Sequence, residues 1–168
     1  MLNKRVEQAL NKQINAEIYS AYLYLSMAAW LESKNISGFA NWMKVQYEEE
    51  FFHAMKMFNF VNERSGKVTL DTIEAPKTEW ESIIEIFEDT YAHEQKVTSL
   101  INELTNVATE EKDHATVNFL QWYIAEQVEE EATASGLLEQ LKLIEGKGSG
   151  LFMLDREAKA RVYTPPVE

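Results

Sequence analysis

The sequence predicts an all-α fold: four long helices in one bundle, a long connection between the second and third, and a short fifth helix near the C-terminus. Three observations lead there. Glycine and proline are scarce, at 6 and 3 of 168 residues, and neither occurs from Leu2 to Leu31 or from Ile83 to Ser135. Those stretches are rich in Ala, Leu, Glu, Lys, Gln and Met, the residues that lose least in a helix. Apolar residues recur at steps of three and four, the spacing of one helix face.

The first helix is expected over about residues 3–32. The second runs about 38–64, with Ser37 as a candidate cap, and stops before Gly66, which is suited to the left-handed conformation that closes a helix. The third runs about 79–109, where Thr78 and Glu81 have the spacing of a capping box. The fourth runs about 113–145, capped by Asp113 and closed at Gly146, a residue suited to the left-handed conformation. The fifth, about 151–161, ends before Pro165 and Pro166. Residues 1–168 form one domain, with the bundle over about 3–145.

Connection lengths set the topology. The first and third links, about six and four residues, suit antiparallel neighbours. The second link, Ser65 to Thr78, has fourteen residues. Extended, it reaches about 46 Å, and a thirty-residue helix is about 45 Å long. The second and third helices can therefore run parallel, joined by a crossover along the bundle. This is the ferritin-like arrangement, not the simple up-down bundle.

Composition excludes several classes. Lys and Arg number 16 against 28 Asp and Glu, for a net charge of −12. Phosphate backbones demand basic surface, so no nucleic-acid partner is expected. There is no cysteine, which rules out disulfides, thiol catalysis and thiolate-held metals. The longest apolar run, Ala21 to Leu31, is too short to span a bilayer, so no membrane association is expected. The segment Met1 to Glu17 is charged throughout, unlike a signal peptide, and the expected location is cytoplasmic.

The helix stripes carry an anomaly. The first reads Val6, Leu10, Gln13, Glu17, Ala21, Tyr24, Ala28, Leu31. The second reads Phe39, Met43, Gln46, Glu50, His53, Met57, Phe60. The third reads Ile83, Phe87, Thr90, Glu94, Val97, Ile101, Leu104, Ala108. The fourth reads Thr116, Leu120, Tyr123, Gln127, Glu130, Ala134, Leu137, Leu141, Ile144. Each has a carboxylate near its middle. A buried carboxylate without compensation is very costly, and four together repel. A bound cation removes both costs. Glu17, Glu50, His53, Glu94, Gln127 and Glu130 thus form a candidate metal centre, with a donor set suited to iron, manganese or zinc. Glu50 and His53 are a Glu-x-x-His pair on one helix face. Glu17 to Glu50 and Glu94 to Gln127 are both 33 residues apart, which hints at pseudo-twofold geometry around two metals.

Other residues stay open between roles. Gln127, being neutral, is either a ligand or a hydrogen-bonding neighbour of one. Tyr24 either hydrogen-bonds a ligand or supplies an electron, or else packs as a core tyrosine. Glu49, Glu126 and Glu129 lie off the stripes, as a third metal site, a path for ions or a solvated acidic face. Trp122, one position off the stripe, is expected to pack, with radical quenching as the alternative. Glu48, Glu131 and His93 are expected at the surface, and His114 away from the centre. Tyr22, Phe39 and Trp80 are candidates for subunit contacts or for ordinary packing.

Four segments resemble the non-haem ferritins of the bacterial and archaeal type: Asn11 to Ala28 (NKQINAEIYSAYLYLSMA), Glu48 to Met57 (EEEFFHAMKM), Tyr91 to Gln95 (YAHEQ) and Glu111 to Glu131 (EKDHATVNFLQWYIAEQVEEE). The resemblance covers the whole chain. It implies a ferroxidase centre at Glu17, Glu50, His53, Glu94, Gln127 and Glu130, a third iron site at Glu49, Glu126 and Glu129 with Glu130 shared, and a functional tyrosine at Tyr24. It further implies oxidation of Fe(II) by oxygen or peroxide, mineral storage, and a homo-oligomeric, 24-subunit hollow shell with the fifth helix near its fourfold axes. Haem is not expected. Bacterioferritins place a haem-ligating methionine after the Glu of the Glu-x-x-His pair, where this chain has Phe51, and they carry a second such pair where it has Gln127 and Glu130. Two other readings are a non-storing di-iron oxidase or peroxidase of the same fold, and a structural bundle with acidic faces.

Overall fold

The computed structural model describes residues 2–165; Met1 and Pro166, which entered the sequence reading, lie outside them. Five helices follow in order: α1 (Lys4–Ser33), α2 (Ser37–Glu63), α3 (Ile83–Glu110), α4 (His114–Leu143) and α5 (Gly148–Ala158). No strand occurs among the described residues.

Helix ends follow local chemistry, with four departures from expectation. The α1 cap is Asn3, whose side chain accepts from the Arg5 N–H. Ser37 does not cap α2. The carboxylate of Asp155, on α5, accepts from Gly38 N at 2.8 Å and Phe39 N at 2.9 Å instead. The α3 cap is Ser82, not Thr78: Ser82 accepts from Glu85 N at 3.2 Å, and Glu85 reaches back to Glu81 N at 2.6 Å. That geometry satisfies two otherwise orphaned donors, four residues later than predicted. At the end of α2 the left-handed residue is Ser65, not Gly66. Gly66 sits close against its neighbours, where a Cβ would meet the Leu2 side chain at 2.8 Å and the Val61 carbonyl at 3.0 Å. Helix α5 begins three residues earlier than expected. Asp113 caps α4 through Thr116 N, and Gly146 is left-handed, both as predicted.

The crossover is pinned to α1 residue by residue. Asn11 donates to Lys67 O at 3.0 Å and accepts from Thr69 N at 2.7 Å. Asn15 donates to Thr72 O at 3.2 Å, and Ser26 to Lys77 O at 2.7 Å. Both numberings rise together, so the crossover runs parallel to α1. Helices α2 and α3 therefore run parallel, as the link length predicted.

The interior has three layers. One apolar cluster joins Tyr24, Met27 and Leu31 of α1 to Phe39, Met43, Ile86, Phe87 and Leu141. A second joins Val6, Leu10 and Ile14 to Met57, Val61, Ile101, Leu120 and Tyr123 at the other end. Between them lies a buried polar layer of Gln13, Glu17, Ser20, Gln46, Glu50, His53, Thr90, Glu94, Gln127 and Glu130. Phe39 and Trp80 belong to the first cluster, so neither is a surface aromatic; Tyr22 is exposed. Among the described residues no helix is long and apolar enough to cross a membrane.

Candidate metal centre

Each helix turns its stripe inward because the flanking apolar residues pack there, and the mid-helix acids follow. Glu17, Glu50 and Glu94 are 1%, 1% and 0% exposed. Glu130, Gln127 and His53 are also buried. All six sequence-predicted residues thus share the polar layer.

Glu17, Glu50 and His53 come closest. Each offers a ligand atom within 4.8 Å of the other two. His53 Nδ1 lies 3.6 Å from Glu50 Oε2 and 4.0 Å from Glu17 Oε2. Those two oxygens are buried and have no hydrogen-bond partner. Leaving a buried acceptor unpaired costs the full desolvation of the group. The orphaned atoms are thus the ones that converge on the imidazole, as expected of donors arranged for a cation. Burial holds His53 down to about 4, so the imidazole is neutral at pH 7 with a lone pair to offer.

Electrostatics fit the same picture. Burial raises Glu17. Burial, and then the charges of Glu94, Glu17 and Glu130, raise Glu50 well above the carboxylate range. Burial lifts Glu94 to about 7 and Glu130 to about 8. The layer holds protons until something positive replaces them.

The other carboxylates are held by neutral donors. The Tyr24 hydroxyl donates to Glu94 Oε1. Gln127 Nε2 donates to Glu94 Oε2 at 3.2 Å. Gln46 Nε2 donates to Glu130 Oε2 at 3.0 Å, and Gln13 Nε2 to Glu17 Oε1 at 2.8 Å. Gln13 and Gln46 received no role from the sequence, although each sits four residues before a candidate ligand. Both orient that layer's acids. Trp122 covers His53 edge-on, with ring centroids 5.3 Å apart.

The off-stripe acids lie beside the layer. Glu126 is raised by burial and then by the charges of Glu129 and Glu49, so the three share one field. Glu49 Oε2 pairs with Arg161 Nη2 at 2.5 Å. No sequence signal marked Arg161, 112 residues away. Among the described residues these acids form no second group of three converging ligand atoms. Two surface expectations are corrected. His93 is half-buried, with Nε2 2.8 Å from Ser20 Oγ and its ring against Tyr19 and Tyr24, because it falls on the α1–α3 seam. Glu131 is half-buried and accepts from Thr98 Oγ1 at 2.6 Å. His114 is exposed, as expected.

Residues 7–144 match the family Ferritin, described as a ferritin-like domain. A probable bacterial non-heme ferritin-like protein of Haemophilus influenzae is 43% identical over 157 residues, covering 94% of this chain and 95% of that one. The bacterial non-heme ferritin of Campylobacter jejuni is 41% identical, over 95% of each chain. Among solved structures, an open pore ferritin from the hyperthermophilic archaeon Archaeoglobus fulgidus superposes with a TM-score of 0.94 at 54% identity, covering 96% of this chain and all of that one. A closed form of that ferritin, engineered by site-directed mutagenesis, gives 0.96 at the same identity and covers 98% of this chain and all of the other.

Proposed function

The chain belongs to the ferritin family, and we propose that it is an iron-storage ferritin with ferroxidase activity, oxidising Fe(II) inside its own bundle. One observation carries this reading. The unpartnered Oε2 atoms of Glu17 and Glu50 converge on a neutral His53 in a layer that holds no Lys or Arg among the described residues. Iron is the substrate, and its charge makes the buried acids tolerable.

In this reading Glu17, Glu50 and His53 hold one Fe(II). Glu94 and Glu130 hold a second, with Gln127 beside it, and Glu50 lies between the two. Each Fe(II) gives up one electron. Two together reduce oxygen and two protons to hydrogen peroxide, or peroxide and two protons to water, so one-electron oxygen products are avoided. Hard carboxylate oxygens favour Fe(III), which helps drive the oxidation. Arrival of the cations displaces the protons held by Glu50, Glu94 and Glu130. Tyr24, donating to Glu94, keeps that carboxylate in place and is a candidate electron donor. Glu49, Glu126 and Glu129, with Glu130, are the proposed third iron site; a metal there takes over the compensation that Arg161 gives Glu49.

Storage needs an enclosed space that one bundle cannot provide. We infer a closed homo-oligomer, a 24-subunit hollow shell as in the family, cytoplasmic in location. The exposed Phe152 and Met153 of α5 are candidates for cover in such a shell.

The test mixes metal-free protein with Fe(II) and oxygen in a stopped-flow instrument, then measures iron per assembly after repeated additions. A fast oxidation phase lost in Glu50→Ala and His53→Ala is expected, with loading far beyond a few ions per chain. An unchanged fast phase in both variants would sink the site assignment. Loading that stops at two irons per chain would favour a non-storing di-iron oxidase or peroxidase.

A further inference from the structure

A layer this buried poses a transport question: a hydrated cation must reach it through the bundle wall. A cavity of about 320 Å³ opens between α3 and α4. Its polar lining is Thr98, Asn102, Gln127 and Glu131, and its apolar lining includes Ile101 and Val128. Water occupies roughly 30 Å³ in the liquid, so a cation with six waters fits. Glu131 is the single charge in the lining. It makes no ion pair among the described residues.

The cavity is wired to the centre. Glu131 Oε1 accepts from Thr98 Oγ1 at 2.6 Å, and Thr98 Oγ1 accepts from Gln127 Nε2 at 3.3 Å. Gln127 Nε2 also donates to Glu94 Oε2 at 3.2 Å and Glu94 O at 3.3 Å. One amide therefore separates the cavity from a buried carboxylate. Its bonds lie at the long end of the N–H···O range, and they are neutral at the donor end. On the α2 side of α4 the situation is opposite. There the Arg161 guanidinium sits on Glu49, a positive charge in a cation's way.

We propose that the α3–α4 cavity is the passage by which hydrated Fe(II) reaches the buried layer, with Glu131 its first acceptor and the Gln127 amide its gate. The inference rests on the ferroxidase reading above, which supplies the destination. The lone carboxylate draws cations and repels anions. Thr98 holds that carboxylate toward the lumen. When the amide leaves Thr98 and Glu94, its carbonyl oxygen can face the arriving ion, and a Glu94 oxygen is freed to take it.

The test follows Co(II) uptake by stopped-flow absorbance in the absence of oxygen, so that no oxidation occurs. Glu131→Gln keeps the acceptor for Thr98 and removes the charge. Val128→Trp narrows the exposed rim. Glu63→Gln, at the exposed end of α2, removes the same charge elsewhere. Glu131→Gln should slow uptake about five- to tenfold at low salt, with less effect at high salt and no change in ions bound. Val128→Trp should slow it at every salt concentration, and Glu63→Gln should match the parent protein. Rates within about twofold of the parent for both Glu131→Gln and Val128→Trp, or equal slowing in Glu63→Gln, would overturn the passage. Failure of the parent protein to bind Co(II) at all would instead remove the destination, and with it the reading of the centre.

Discussion

Tyr24 and Glu94 are joined by a hydrogen bond that crosses from α1 to α3, the phenol donating to Oε1. Both side chains are fully buried, so the bond does two things. It satisfies a phenol that burial and the neighbouring carboxylates hold in its neutral form, and it fixes the carboxylate that faces Gln127. Tyr24→Phe keeps the ring and removes the donor. The metal-free protein should lose about 1–2 kcal/mol of unfolding free energy, the cost of a buried acceptor left short. The fast phase of iron oxidation should slow severalfold. Urea denaturation and stopped-flow mixing check the two halves.

Glu50 sets function against stability. Its Oε2 has no partner, and three other carboxylates act on it. Glu50→Gln is nearly isosteric and cannot ionise. In the metal-free protein it should raise the melting temperature, because folding at neutral pH no longer has to protonate this buried side chain. With saturating Zn(II) the order should reverse, since the parent gains a ligand's worth of binding energy and the variant does not. Calorimetry with and without Zn(II) shows both signs. A variant less stable than its parent in the metal-free state would refute the idea that this acid is strained for function.

The pH dependence has a definite sign. Glu94 titrates at about 7 and Glu130 at about 8, against an ordinary 4.5. Between 4.5 and those values the folded protein keeps protons that the unfolded chain has shed, so stability falls as pH rises. His53 and His93 titrate at about 4, against an ordinary 6.5. Between pH 4 and 6.5 they act oppositely, and stability rises with pH. Above pH 6.5 only the carboxylates remain. The metal-free protein should therefore lose stability from pH 6.5 to 8, and Glu130→Gln should flatten that slope. Urea midpoints at the two pH values measure it.

The bundle and the inward acids were legible because packing repeats along each helix. A carboxylate at a stripe position stands out against the four to six apolar residues of its stripe. Phe60, Leu137 and Ile144 are only half-buried, and Val61 and Leu138 take the buried places of the first two. A 3.6-residue helix drifts from the three-four stepping over several turns. His93 was misplaced for a related reason. One position off the stripe faces not solvent but the neighbouring helix, where α1 and α3 pack. Contacts between distant segments left no trace in the sequence. Arg161 on Glu49 and Asp155 on the start of α2 both depend on how α5 and the chain after it fold back, which no local spacing encodes.

That fold-back yields a prediction in which one helix rule is overruled. Asp155 Oδ1 accepts from Gly38 N and Phe39 N, and Asp155→Ala should cost about 1 kcal/mol, the ordinary value of a helix cap. Asp155→Asn keeps an acceptor and should cost less. Gly38→Ala would favour a free helix by about 1 kcal/mol. Here a Cβ on Gly38 would lie 1.7 Å from the Asp155 carbonyl oxygen, which is backbone and cannot swing aside. The substitution must push α5 off α2, losing the cap and the partial cover of Leu151 and Leu154. Gly38→Ala should therefore destabilise more than Asp155→Ala, against helix propensity. Thermal midpoints rank the three variants, and hydrogen exchange should show faster opening at residues 38–40 in Asp155→Ala. A Gly38→Ala protein as stable as its parent would mean that α5 does not dock through this contact.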